Sequence, residues 1–112
     1  MDTSCRTTQI DAPLDDDRAQ DIAAALKALA DPTRVKLMHR IASAGPDGVC
    51  VCELTVPLGI SQPSVSYHLR ILRDAGVVGS RREGTFAYYS ARGEALHALS
   101  DLLVGREAVA AW

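Results

Sequence analysis

The sequence predicts a mainly α-helical fold of five helices with a single β-hairpin near its carboxyl end. Apolar residues recur at helical spacing along most of the chain, and Gly and Pro interrupt these stretches. Two short neighbouring segments are rich in β-branched and aromatic residues, which favours a pair of strands. The 112 residues suffice for one domain, so we expect a flexible amino-terminal arm over residues 1–15 and one domain over residues 16–112.

The first two helices are predicted from the signals at their amino ends. Asp16 and Asp17 suit the positive end of a helix dipole, and apolar residues then recur along one helical face. Asp31 before Pro32 begins a second helix, because the carboxylate caps free backbone amides and Pro lacks the N–H that a first turn leaves unbonded. Gly45 ends this helix.

The next two helices form a predicted helix-turn-helix. The third helix is short, over Cys52–Leu58, and Gly59 provides the tight turn that follows it. Ser61 is a typical N-cap for the fourth helix, in which an apolar stripe runs at i, i+4 and i+7 from Val65. The opposite side bears amide, hydroxyl and guanidinium groups, which are the groups that contact DNA bases and phosphates.

The hairpin and a fifth helix complete the predicted order. Residues 77–82 and 85–90 have strand composition, and Glu83-Gly84 between them predicts a tight turn with arginines near its tip. A last amphipathic helix is predicted from residue 94 to about residue 109. The order α1-α2-α3-α4-β-β-α5 is that of a winged helix-turn-helix, in which the hairpin is the wing.

Charge is distributed unevenly along the chain. Residues 1–17 hold five Asp and one basic residue, whereas residues 59–92 hold five Arg against two acidic residues. The formal net charge of −2 therefore conceals a basic second half, which favours a nucleic-acid partner. An ordinary solvated surface carries similar clusters, so the charge supports this interpretation without deciding it.

Several other classes of protein are disfavoured. No apolar run approaches the roughly 18 residues of a membrane span, and the first residues lack the layout of a signal peptide, so we expect a cytoplasmic protein with no membrane partner. A small thiol oxidoreductase would need two cysteines at C-x-x-C spacing, which this sequence lacks. The sequence also has no Gly-rich phosphate loop and no serine triad, which are motifs of other enzyme classes. We therefore expect no enzymatic activity.

Three cysteines carry the remaining chemistry. If Cys50 lies in an extended lead-in and Cys52 in the first turn of the third helix, both sulfurs can converge on one point. The positive helix end beside them is expected to lower the thiol pKa and so favour the thiolates that bind soft ions. Metal binding, redox sensing and simple burial of the thiols all remain open at this point.

Four fragments follow one another along the chain: ALADPTR at 28–34, CVCEL at 50–54, LGISQPSVSYHL at 58–69, and EG at 83–84 before YY at 88–89. In this order and at these separations they resemble the ArsR/SmtB family of bacterial metal-responsive repressors. The resemblance covers roughly residues 17–104. It implies a homodimer, paired mainly through helices 1 and 5, that binds palindromic operator DNA and releases it when metal binds.

The resemblance also implies an inducer site at Cys50 and Cys52. Thr55 stands where arsenic-sensing members often carry a third cysteine, and Cys5 is similar to the amino-terminal cysteine that completes the site in the cadmium- and lead-sensing CadC branch. Three thiolates suit arsenite or antimonite at least as well as Cd(II) or Pb(II), whereas zinc would need a fourth ligand. The alternatives are therefore a metalloid, a cadmium or lead, or a thiol-based redox sensor.

Two groups of DNA contacts follow from the same resemblance. On the fourth helix, which would enter the major groove, they are Ser61, Gln62, Ser64, Ser66, Tyr67 and Arg70. On the wing, Arg81 and Arg82 are expected to contact phosphates or the minor groove. The metal site that other members carry on helix 5 is not expected, because Gly93, Glu94 and Ala95 occupy the opening of that helix.

Overall fold

The protein is described by a computed structural model, which covers residues 13–105. Its helices and strands confirm the winged helix-turn-helix architecture. The helices are α1 (Asp16–Leu29), α2 (Pro32–Ser43), α3 (Cys52–Leu58), α4 (Gln62–Asp74) and α5 (Gly93–Val104), and the strands are β1 (Val49–Cys50), β2 (Val78–Glu83) and β3 (Phe86–Ala91). None of the helices within this range is long and apolar enough to cross a membrane.

Polar side chains cap three helices at their amino ends. Asp15, Asp31 and Ser61 each accept a hydrogen bond from the backbone amide three residues further along, at 2.8, 3.1 and 3.3 Å. Each bond satisfies an amide that the first helical turn leaves without a partner. The caps of α2 and α4 were predicted, whereas α1 begins at Asp16 because Asp15 provides its cap.

The three strands form one antiparallel sheet in the order β1-β3-β2. The predicted hairpin is confirmed, but both strands are shifted by one residue. Its turn consists of Gly84 and Thr85, because Glu83 pairs with Phe86 and Gly84 has a positive φ of 63°. Strand β1 was not predicted, since two residues are too few to show a strand periodicity.

The hydrophobic core lies beneath α4, the second helix of the helix-turn-helix. Val65, Leu69 and Leu72 of α4 are completely buried and pack with Leu37 of α2 and Leu54 of α3. Helices α1 and α5 supply smaller or fewer buried side chains to the same core. The apolar stripe therefore fixes which side of α4 faces outward.

Helix α5 is shorter than predicted. It ends at Val104, and the amide of Gly105, a residue with a φ of 83°, donates to the carbonyl of Asp101 at 3.1 Å. A positive φ ends a helix, and Gly adopts it without steric cost. The predicted continuation over residues 106–109 lies outside the described residues.

Two substitutions in α3 test this description of the core. Leu54 is completely buried, so Leu54→Ala should lower the free energy of unfolding by about 2–5 kcal/mol. Val56 is 84% exposed, and Val56→Ala should change it by less than about 0.5 kcal/mol. Urea unfolding followed by circular dichroism measures both. Equal losses would show that α3 does not face the core as described.

Candidate nucleic-acid interface and cysteine site

The outer face of α4 presents the polar side chains predicted to contact DNA. Gln62, Ser66 and Arg70 are exposed and follow one another at i, i+4 and i+8, on the side of the helix next to the buried stripe. Tyr67 is 60% exposed, and its ring meets that of His68 edge to face with 5.2 Å between centroids. These four predicted contacts therefore share the solvent-facing side of one helix.

Two predicted contacts already have a structural role at the start of α4. The Ser61 hydroxyl oxygen accepts from the Ser64 amide, and the same hydroxyl donates to the Ser64 hydroxyl oxygen at 3.1 Å. Ser61 is exposed and Ser64 is half-buried. Both hydroxyls lie at the amino end of the helix, where backbone N–H groups suit a phosphate, but their local bonds compete with contacts to DNA.

The two arginines of the wing differ in their surroundings. Neighbouring residues of a strand point to opposite faces, so Arg81 and Arg82 lie on different sides of the hairpin. The Arg81 guanidinium donates to the Asp47 carbonyl at 2.7 Å and bonds the Glu83 carboxylate at 3.1 Å. It also lies 4.9 Å from the centre of the Tyr88 ring. Arg82 is exposed, which leaves it accessible to a phosphate.

A contact that sequence analysis missed joins α4 to α2. Nη1 of Arg34 lies 3.2 Å from Nδ1 of His68, and Nε of Arg34 donates to the Ala28 carbonyl at the end of α1. A guanidinium is only a donor, so Nδ1 of His68 accepts this hydrogen bond. His68 thus has a structural contact, and no signal in the sequence pairs two residues 34 positions apart.

Cys50 and Cys52 are brought together at the junction of β1 and α3. Cys50 is buried and Cys52 is exposed, and both are free thiols. The Cys52 amide donates to the Cys50 sulfur at 3.4 Å, and the Cys50 amide donates to the Glu53 carboxylate at 3.0 Å. Cys50 is extended and Cys52 begins the helix, which is the arrangement in which two thiols two residues apart can meet.

The expectation of a lowered thiol pKa is wrong for Cys52. The hydrogen-bonding contact with the Cys50 side chain raises the pKa of Cys52, and partial desolvation of this exposed thiol and the neighbouring negative charges of Cys50 and Glu53 raise it further. A negative group beside the thiol disfavours the thiolate. These effects outweigh the one that lowers the pKa, a backbone hydrogen bond at Cys52 itself.

The third predicted ligand, Cys5, lies outside residues 13–105. Within that range no three His, Cys, Asp or Glu side chains come together in a group that could hold a metal ion. The described part of the candidate site is therefore a pair of sulfurs.

Comparison with known proteins assigns the chain to one group of regulators. Residues 31–80 match the model of the arsR family of bacterial regulatory proteins. An arsenic resistance transcriptional regulator of Pseudomonas putida is 43% identical over 70% of this chain and 60% of its own length. The arsenical resistance operon repressor of Bacillus subtilis is 38% identical over 65% of this chain and 68% of its own length.

Further similarities extend to a cadmium regulator and to a solved structure. A cadmium resistance regulator, a CadC homolog of Staphylococcus aureus, is 39% identical over 62% of this chain and 56% of its own length. The homodimeric winged helix-turn-helix DNA-binding domain of a possible ArsR-family regulator from Mycobacterium bovis is 30% identical, with a TM-score of 0.64 over 89% of this chain and 90% of that chain. These relatives are regulators and not enzymes.

The raised pKa of Cys52 predicts how its thiol reacts in the ion-free protein. The pH at half-maximal alkylation by iodoacetamide should lie above that of an unstructured cysteine peptide, because only the thiolate reacts. Cys50→Ala removes the largest cause of the shift and should lower this midpoint. Peptide mass spectrometry across a pH series measures both. A midpoint at or below that of the free peptide would contradict the geometry of the pair.

Proposed function

The chain belongs to the ArsR family of bacterial regulatory proteins, and on this premise we propose that it is a DNA-binding transcriptional repressor controlled by a thiophilic ion. The ion binds at cysteine thiolates and lowers the affinity for operator DNA. One observation carries the proposal. The pair of free thiols at Cys50 and Cys52 lies at the start of α3, and α3 packs directly against α4, the proposed recognition helix.

The proposed DNA contacts lie in two places, on α4 and on the wing. Helix α4 enters the major groove, and Gln62, Ser66, Tyr67 and Arg70 meet base edges and phosphates from its exposed face, with Ser61 and Ser64 at its amino end. On the wing, exposed Arg82 meets a phosphate, and Arg81 contributes less because its guanidinium already has partners. This division accounts for the basic charge of residues 59–92.

The repressor is proposed to act as a homodimer. Helix α5 exposes Leu102 by 49% and Leu103 by 69%, and Leu26 of the neighbouring α1 is 40% exposed. Apolar side chains at adjacent helix faces favour burial against a second copy. Two recognition helices related by a two-fold axis would match two half-sites of a palindromic operator.

The inducer is proposed to be arsenite or antimonite, held by Cys50, Cys52 and Cys5. Three thiolates match the coordination of these metalloids, and Cd(II) or Pb(II) is the alternative. The names of the Pseudomonas and Staphylococcus relatives include arsenic in one case and cadmium in the other. Cys5 is proposed to come from the partner subunit, and the ten residue-to-residue steps from Cys5 to Asp15 can span at most about 33–36 Å.

Ion binding is favoured over redox sensing because the names of several relatives refer to arsenic or cadmium resistance. Oxidation of a cysteine proceeds through its thiolate, so a raised pKa slows the reaction with peroxide at neutral pH. A soft ion displaces the proton, and its affinity should therefore increase as the pH rises. The ion releases DNA only to the extent that it binds the DNA-free dimer more tightly than the DNA-bound one.

Substitutions on α4 test DNA recognition. Gln62→Ala and Arg70→Ala should each weaken binding to an operator duplex, selected by the wild-type protein from random DNA, by about 1–3 kcal/mol for a base contact. Arg40→Ala is the matched control, because it removes the same kind of exposed charge from α2, which is not proposed to contact DNA. Fluorescence anisotropy at one stated salt concentration measures the affinities. Unchanged binding by both variants would exclude α4 as the recognition helix.

Serine substitutions test the ligand set. Cys50→Ser and Cys52→Ser should abolish release of the operator by sodium arsenite and by cadmium chloride, and Cys5→Ser should raise the ion concentration needed for release. X-ray absorption should find three sulfur neighbours around arsenic in the wild-type protein. Two neighbours, or an unchanged response of Cys5→Ser, would remove Cys5 from the site. Release by peroxide but by neither ion would replace the proposal with a redox sensor.

A further inference from the structure

We propose that Tyr88 and Arg81 couple the cysteine pair to the wing, so that an ion bound at Cys50 reorients the β2–β3 hairpin. The inference rests on the proposed function, because it concerns how ion binding changes DNA affinity. It makes Arg81 and Tyr88 positioning residues of the wing. Its basis is a row of side chains that crosses the three-stranded sheet.

Cys50, Tyr88 and Arg81 lie opposite one another on β1, β3 and β2. Cys50 pairs with Tyr88, and Tyr88 pairs with Arg81. Directly opposed residues of antiparallel strands point to the same face, with Cβ atoms about 4.5–5.5 Å apart. The adjacent row contains Val49 and Tyr89, which belong to or pack against the hydrophobic core. The row from Cys50 to Arg81 therefore occupies the other face of the sheet, on which Cys50 is buried, Tyr88 is half-buried and Arg81 is exposed.

Arg81 connects this row of side chains to the loop that precedes Cys50. Its guanidinium lies over the Tyr88 ring, 4.9 Å from the centre, and Nη1 donates to the carbonyl of Asp47 at 2.7 Å. The same loop is held tightly against β3, since a Cβ added at Gly48 would lie only 2.7 Å from the carbonyl oxygen of Tyr89. The wing is thus connected to the cysteine segment through side chains as well as through the backbone.

A shift of Cys50 on ion binding reaches the wing by this connection. The Cys50 sulfur accepts from the Cys52 amide at 3.4 Å, and an ion that draws the sulfur towards other thiolates replaces this contact. Strand β1 has only two residues, so movement of Cys50 also moves its pairing with Tyr88. Strand β2 has six residues, and at a rise of about 3.3 Å per residue it is roughly 17–20 Å long. A rotation of about 5° at its base therefore moves the wing tip by about 1.5 Å.

The two wing arginines consequently have different functions. Arg81 uses its guanidinium within the protein, whereas Arg82 extends from the opposite face and is exposed. Arg82 provides the phosphate contact, and Arg81 determines where the wing holds it. Loss of Arg82 weakens DNA binding with or without ion, while loss of Arg81 weakens the response to the ion.

The test compares Arg81→Lys and Tyr88→Leu with Arg82→Ala as matched control. The measured quantity is the ratio of operator Kd with and without saturating cadmium chloride, together with cadmium affinity from the ultraviolet thiolate absorption of the DNA-free protein. Arg81→Lys and Tyr88→Leu should reduce the ratio by about tenfold or more and leave cadmium affinity within about threefold. Arg82→Ala should leave the ratio unchanged and flatten the slope of log affinity against log salt by about one per wing. Tyr88→Phe, which keeps the ring, should retain the wild-type ratio.

A wild-type ratio in both Arg81→Lys and Tyr88→Leu would overturn the coupling. If either variant does not fold, the coupling is tested by hydrogen exchange of the wild-type protein without DNA, compared with and without cadmium. Cadmium should then alter the exchange of the backbone amides of β2 and β3, and unchanged exchange there overturns the coupling. A wild-type protein that keeps its operator affinity with both cadmium and arsenite would instead overturn the proposed function, and the coupling with it.

Discussion

The burial of one apolar stripe on α4 is the interaction on which the rest of the protein depends. Val65, Leu69 and Leu72 are completely removed from solvent, and they fix the rotation of the helix about its own axis. Residues outside the stripe then face outward, which is why Gln62 and Arg70 are exposed. A helix of the same composition without a continuous apolar stripe would present no defined polar face.

The three-stranded sheet links the cysteine pair to the wing. Pairing of β1 with β3 makes the segment before α3 part of the same sheet as the wing. Cys50 therefore belongs to the sheet, Cys52 belongs to a helix that packs on α4, and the pair lies between the two elements proposed to contact DNA. A ligand at this junction can act on both elements without a long chain of intermediates.

The chemistry of the pair is determined by its immediate neighbours more than by the helix end. The contact with Cys50 and the carboxylate of Glu53 raise the pKa of Cys52, so the ion-free thiol remains largely protonated near neutral pH. In the proposed function, this proton slows oxidation of the sulfur and is released when a soft ion binds. Such a site suits an ion sensor, because its response depends on an ion strong enough to displace protons.

The sequence by itself determined the five helices, the hairpin and the polar face of α4, because caps, glycines and apolar periodicity are local signals. It also identified Cys50 and Cys52 as a pair, since their spacing is visible in the chain. Only the tertiary structure decided that β1 joins the sheet, that Arg34 bonds His68 and that Arg81 bonds Asp47. It also reversed the expected direction of the Cys52 pKa. These features depend on contacts between distant residues or on side-chain geometry, and neither leaves a periodic signal in the sequence.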